Sequence, residues 1–87
     1  MRNPNLAELE SLVAAAGRNS AVAGQIRGVA LEVDQDEFGG DYLRVVFSMD
    51  RIEIAKHEEL LSLIHSVEDT VADVDRRFPV VYFADAT

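Results

Sequence analysis

The sequence predicts an α+β fold with elements in the order α-β-β-α-β, built as a two-layer sandwich with two helices on one face of a three-stranded sheet. Three observations lead there. Residues 26–34 and 41–49 alternate apolar and polar side chains, and a glycine-bearing tip separates them. Residues 6–16 and 51–77 place apolar side chains three and four apart. The run "VVYFA" at 80–84 is β-branched and aromatic, as strands are.

The elements follow in chain order. Residues 1–4 read as a loose end. Asn5 and Glu8 form a capping-box pair, and Leu6, Leu9, Leu12, Val13 and Ala16 make one stripe, so the first helix is expected over 6–16. Gly17 is expected just past its end, where positive φ is tolerated. "RNSAVAGQ" at 18–25 reads as a loop, with or without an extra helical turn. In the hairpin, Val29, Leu31 and Val33 share one face of the first strand. Leu43, Val45, Phe47 and Met49 share one face of the second, opposite Tyr42, Arg44, Val46 and Ser48.

Asp50 and Glu53 repeat the capping-box pattern ahead of the second helix, expected over 51–77. Leu60, Ile64, Val67, Val71, Val74 and Phe78 lie on its arc, with Leu63 beside them. Such a helix would be ~40 Å long, so two alternatives stand: a break near Ser66, or an extended "RIEI" with the helix starting near Lys56. Pro79 stops the helix. The strand at 80–84 is apolar on both faces, which suits an interior strand or one covered by another chain. Strand order 1-2-3 is the first expectation, with 2-1-3 as the alternative.

The chain has 87 residues, enough for a single domain spanning 1–87. It has no cysteine, which removes disulfides and thiolate metal sites. Acidic residues outnumber basic ones 16 to 8, giving a net charge of −8. That charge disfavours nucleic acid and anionic membrane as partners and favours a protein with a basic surface. The start lacks the apolar core of a signal peptide, and no apolar run would span a bilayer, so a cytoplasmic protein is expected.

Candidate sites are few. "DQDEFGGD" contains D-x-D-x-x-G but departs from a calcium loop: Phe38 stands at position five and Val45 at position twelve. It reads as an acidic turn. His57 and Glu58 open like a zinc-protease motif, but Leu61 stands where the second histidine is needed. On one helix, His57 and His65 would lie about 12 Å apart along the axis and roughly 80° apart around it, so one metal cannot take both. His65 with Asp69 one turn on, and His57 separately, remain weak metal candidates against the plainer reading of a solvated helix face. Asp73 is placed to pair with Arg76 and Arg77, and Arg27 with Arg44 lies on the outward side of the hairpin. No nucleophile motif and no phosphate-binding glycine loop appears, so no enzyme activity and no cofactor is expected.

The element order and the ending "RRFPVVYFADA" resemble the cytoplasmic C-terminal domain of cation diffusion facilitator transporters. The resemblance implies a domain that dimerises. That family's last strand usually carries a histidine, where this chain has Tyr82 and Phe83, so no metal ligands carry over.

Three strands leave two edges and one face bare. Tyr42, Val46, Val80 and Tyr82 are expected there as interaction residues, and a homodimer is the expected way to cover them. The leading functional expectation is a small acidic protein-interaction module. Two alternatives are an acidic inhibitor, of immunity or antitoxin type, masking a basic partner, and a metal- or ligand-responsive domain using His57, His65 and Asp69.

Overall fold

The computed structural model describes residues 5–86, so the expected loose end at 1–4 lies outside the described residues. The order is α-β-β-α-β: α1 (Leu6–Arg18), β1 (Ile26–Gln35), β2 (Asp41–Met49), α2 (His57–Ala72) and β3 (Phe78–Asp85). Short 3-10 turns at Ala23–Gln25 and Ile52–Ile54 precede β1 and α2. The three strands form one sheet in the order β1-β2-β3. β1 runs antiparallel to β2, and β3 runs parallel to it. Both helices lie on one face, α1 over β1 and α2 over β3.

α1 begins where expected. The Asn5 side-chain oxygen accepts the Glu8 N–H at 2.8 Å. Leu9, Val13 and Ala16 are buried. The helix runs to Arg18, two residues past its expected end, with Gly17 inside it and buried. The glycine serves close approach rather than positive φ. A Cβ there would stand 3.0 Å from Ile26 Cδ1 and 3.2 Å from Phe47 Cε1. The missing side chain lets α1 settle onto β2 at its largest buried residue, Phe47.

The hairpin tip is locked by one carboxylate. Asp36 Oδ1 accepts the N–H groups of Phe38 and Gly40, each at 2.9 Å. Gly39 takes φ +83°, which an L side chain rarely adopts. The turn thus consumes its own acid for geometry, as an acidic turn does.

α2 starts at His57, as in the alternative with the helix starting near Lys56, and not at 51. Asp50, the expected cap, is engaged elsewhere. Its N–H donates to the Gln25 carbonyl at 2.7 Å, and its carboxylate holds Arg27 at 2.9 Å. Gln25 Nε2 donates to the Arg51 carbonyl at 3.0 Å, and Arg51 sits in the left-handed region at φ 56°. These ties fasten the end of β2 to the turn before β1, so a helix cannot propagate through Arg51. The real start uses Glu59, whose carboxylate accepts the Lys56 N–H at 3.3 Å. Glu58 and Glu59 also face the positive end of the helix dipole. From there α2 is unbroken through Ser66.

Its buried stripe is Leu63, Val67 and Val71, with Leu60 half-buried beside them. The core is completed by Val22, Leu31, Leu43, Val45, Phe47 and Met49. α2 ends at Ala72, five residues short of expectation, and the apolar arc stops at Val71. Val74 and Phe78 are exposed, and Phe78 belongs to β3.

Gly17 gives the first prediction. Gly17→Val forces two β-branch methyls against Ile26 and Phe47 and should cost about 1–3 kcal/mol. Gly24→Ala, with nothing within 4 Å of the new Cβ, is the tolerated control. Urea midpoints of the two variants check the contrast.

Candidate functional site

Strand register sorts the sheet into two faces. Val33–Leu43–Pro79, Leu31–Val45–Val81 and Val29–Phe47–Phe83 point toward the helices. Asp34–Tyr42–Phe78, Glu32–Arg44–Val80, Ala30–Val46–Tyr82 and Gly28–Ser48–Ala84 form the other face, which neither helix covers. The structure therefore places Tyr42, Val46, Val80 and Tyr82 on one surface.

Sequence periodicity missed one member of this surface. Helical spacing from Val74 and Val71 places Phe78 on the expected helical arc. In the structure it opens β3 beside Tyr42 and is 61% exposed. The usable signal was parity: residues 78, 80, 82 and 84 alternate with Pro79 and so share a strand face.

The face has an internal gradient. Phe78, Val80 and Tyr82 on β3 adjoin Tyr42 and Val46 on β2, and Glu32 with Asp34 border them on β1. The one cation among these rows, Arg44, stands opposite Glu32 and lies over the Tyr82 ring at 5.2 Å from its centroid. Arg27 is not its neighbour as expected. A register shift between Ile26 and Gly28 sets Arg27 apart, and it turns to Asp50. Tyr42 Oη donates to Asp34 Oδ2 at 3.5 Å. Desolvation, together with the nearby Asp34 carboxylate, pushes the Tyr42 phenol above its ordinary pKa. The phenol is protonated at neutral pH with or without this shift, so it serves as a hydrogen-bond donor to Asp34.

The turn into β3 rests on a charge pair that sequence spacing misassigned. Asp73 caps α2 and does not take Arg76 and Arg77 as helical partners. The partner of Arg77 is Asp75, whose side chain is fully buried. Asp75 accepts Arg77 Nε at 3.0 Å, a second guanidinium N–H at 2.7 Å and the Arg77 backbone N–H at 2.9 Å. Its own N–H donates to the Val71 carbonyl at 2.8 Å, which closes the end of α2. The Arg77 hydrogen bonds hold the Asp75 carboxyl below its usual pKa against the opposing effect of burial. In the same way Asp75 raises the Arg77 pKa. This fork turns the chain out of α2 and delivers Phe78 to the open face.

The histidine candidates do not converge. His57 opens α2, and His65 lies two turns further along the same unbroken helix. His65 and Asp69 are both exposed. Among the described residues, no group of three or more histidine or acidic side chains comes together as a metal site. A surface groove of about 410 Å³ beside the end of α2 is lined by Glu68, Asp69, Arg76 and Arg77 among others, and it is open to solvent. Among the described residues, no helix is long and apolar enough to cross a membrane.

No family model, no curated protein and no solved structure matches the chain. The likeness to the transporter C-terminal domain therefore stays one of element order and of the residues around Pro79.

Asp75→Asn keeps the shape of the turn but strips the charge from a buried fork. It should cost about 3 kcal/mol at neutral pH. A carboxylate with a lowered pKa in the folded state stabilises at pH values above its unfolded pKa and ceases to as pH falls through the folded one. The wild-type advantage should thus shrink once pH drops below about 4. Urea unfolding of both proteins across that range measures it.

Proposed function

We propose that this chain is a non-enzymatic protein-interaction module, working in the cytoplasm, whose docking surface is the open face of the sheet. The observation that carries the reading is the uncovered row Phe78–Val80–Tyr82 beside Tyr42 and Val46, with Phe78 61% and Tyr82 44% exposed. Contiguous apolar surface of this kind on a small domain has a cost in water that a docked partner removes. Aromatic rings with polar tips and one stacked arginine are the residue types that anchor protein interfaces. The net charge of −8 directs the choice toward protein and away from nucleic acid and anionic lipid.

The test uses a photoreactive benzoylphenylalanine in place of Tyr42 in the cell of origin, with the same residue at exposed Glu10 of α1 as control. Adducts from position 42 and none from position 10 are expected. Adducts from position 10 with none from position 42 would overturn the open face as the docking surface.

A second reading draws on the hairpin tip. Phe38 is 89% exposed, and exposed Asp36, Glu37 and Asp41 surround it in sequence. An aromatic plug in an acidic collar fits an inhibitor that enters a basic cleft. Affinity for the partner captured by cross-linking should then fall about tenfold from low to high salt. Phe38→Ala should weaken it further; salt-independent binding would remove this reading.

A further inference from the structure

Resting on the reading of this chain as an interaction module, we propose that β3 pairs edge to edge with β3 of a second copy, joining two three-stranded sheets into one of six strands. The two edges of the sheet are built differently. β1 carries a register irregularity at Arg27 and exposed Glu32 and Asp34, devices that discourage pairing. β3 keeps a regular register with β2, and its exposed acid, Asp85, and its Pro79 stand near its two ends. From Phe78 to Ala84 it holds no charge, and it reads as the interior strand of a sheet although it lies at an edge. Two chains of net charge −8 repel each other, but the central rows of this contact, Val80 to Ala84, carry no charge.

The backbone fixes which groups face outward. Pro79 lies opposite Leu43 and has no N–H, so its nitrogen points away from β2. Ala86 confirms the alternation: its N–H donates to the Met49 carbonyl at 2.8 Å, so even-numbered residues turn to β2. Val81 and Phe83 therefore turn their N–H and C=O groups to the open edge. An antiparallel pair with its two-fold at Tyr82 lets the Val81 N–H of each copy donate to the Phe83 carbonyl of the other, and the Phe83 N–H to the other's Val81 carbonyl. Pro79 then falls at the end of the ladder. A two-fold at Val81 would instead set Pro79 opposite Phe83 and forfeit a bond inside it.

The helix above the edge fits the same occupant. α1 meets α2 on the flank that carries Glu59, Ser62 and Ser66. Helical geometry puts Leu61 and Ile64 on the opposite flank, which overlooks the β3 edge. Leu61 is 40% exposed and Ile64 half-buried, so a second copy brings these apolar side chains together above the joined strands, with Glu68 on the same flank. Joining also enlarges the docking surface. Three strands of about eight residues make a footprint of roughly 370 Å², small beside the ~800 Å² each partner of a standard interface buries. Two copies double it without a break.

Sedimentation equilibrium of the full chain, from micromolar to submillimolar, tests the pairing. A dimer is expected, with amide exchange at Val81 and Phe83 slowing as concentration rises. Val81→Pro removes a donor that faces only the outer edge, so it should give a monomer with an unchanged circular dichroism spectrum. The exchange measurement on the wild type stands even if that variant folds poorly. Val46→Glu, on the open face and away from the edge, should leave the dimer intact. A wild-type monomer throughout, or exchange at Val81 and Phe83 independent of concentration, would overturn the proposal. A folded Val81→Pro that stays dimeric would do the same. A dimer lost in Val46→Glu and kept in Val81→Pro would refute edge pairing while leaving the open face as the docking surface. The Tyr42 cross-link decides that surface separately.

Discussion

One side of β2 must stay dry. Leu43, Val45, Phe47 and Met49 are wholly inaccessible to solvent, and no other strand contributes such a row. Both helices are committed to covering it, which is why Gly17 gives up a side chain to bring α1 down onto Phe47. Phe83 adds to the same cluster by stacking on Phe47, with ring centroids 5.9 Å apart. Among the described residues, no further element covers the second side of the sheet. The open face is thus a consequence of the core: the two described helices have enough apolar surface for one face only.

The chemistry of the open face follows from that shortage. Residues there alternate with core residues along each strand, so they cannot be altered in register without disturbing the packing. Within that constraint the chain places acid at the β1 border and aromatic or branched residues along β3. Arg44 is shared between Glu32 across the strand pair and the Tyr82 ring. The loops serve rigidity instead of chemistry. Asp36 is spent on the tip, Asp50 on the ties to Gln25 and Arg27, and Asp75 on the fork that aims β3. Sixteen acidic residues can look like a reservoir of catalytic groups, yet Asp36, Asp50 and Asp75 already have structural employment.

The fold was legible because periodicity is local. Alternation in 41–49 identifies which residues of β2 are buried without reference to any other element, and the Asn5–Glu8 pair marks the first helix in the same way. The strand order is the first of the two expected, with the hairpin pairing β1 to β2 and the crossover setting β3 beside β2. The limits of α2 were not legible for a tertiary reason. Asp50 and Glu53 have capping-box spacing, but the partners that take Asp50 away lie some 25 residues earlier, at Gln25 and Arg27. At the other end, Val74 and Phe78 match helical spacing by coincidence, and the Asp75–Arg77 fork, a separation of two, is not one that helical pairing rules inspect. Of the candidate surface, Tyr42, Val46, Val80 and Tyr82 could be read from parity alone, whereas Phe78 depended on knowing where the helix stops.

The unequal edges of the sheet also bear on how large an assembly can grow. A strand surface that accepts pairing on both sides propagates without limit, and that is the route to fibres. Here, joining through β3 would leave a bulged, acid-lined β1 at each outer border. The second edge would then be a terminator, and association by this route would be self-limiting. An aggregation-prone strand would thus become a finite valence of one.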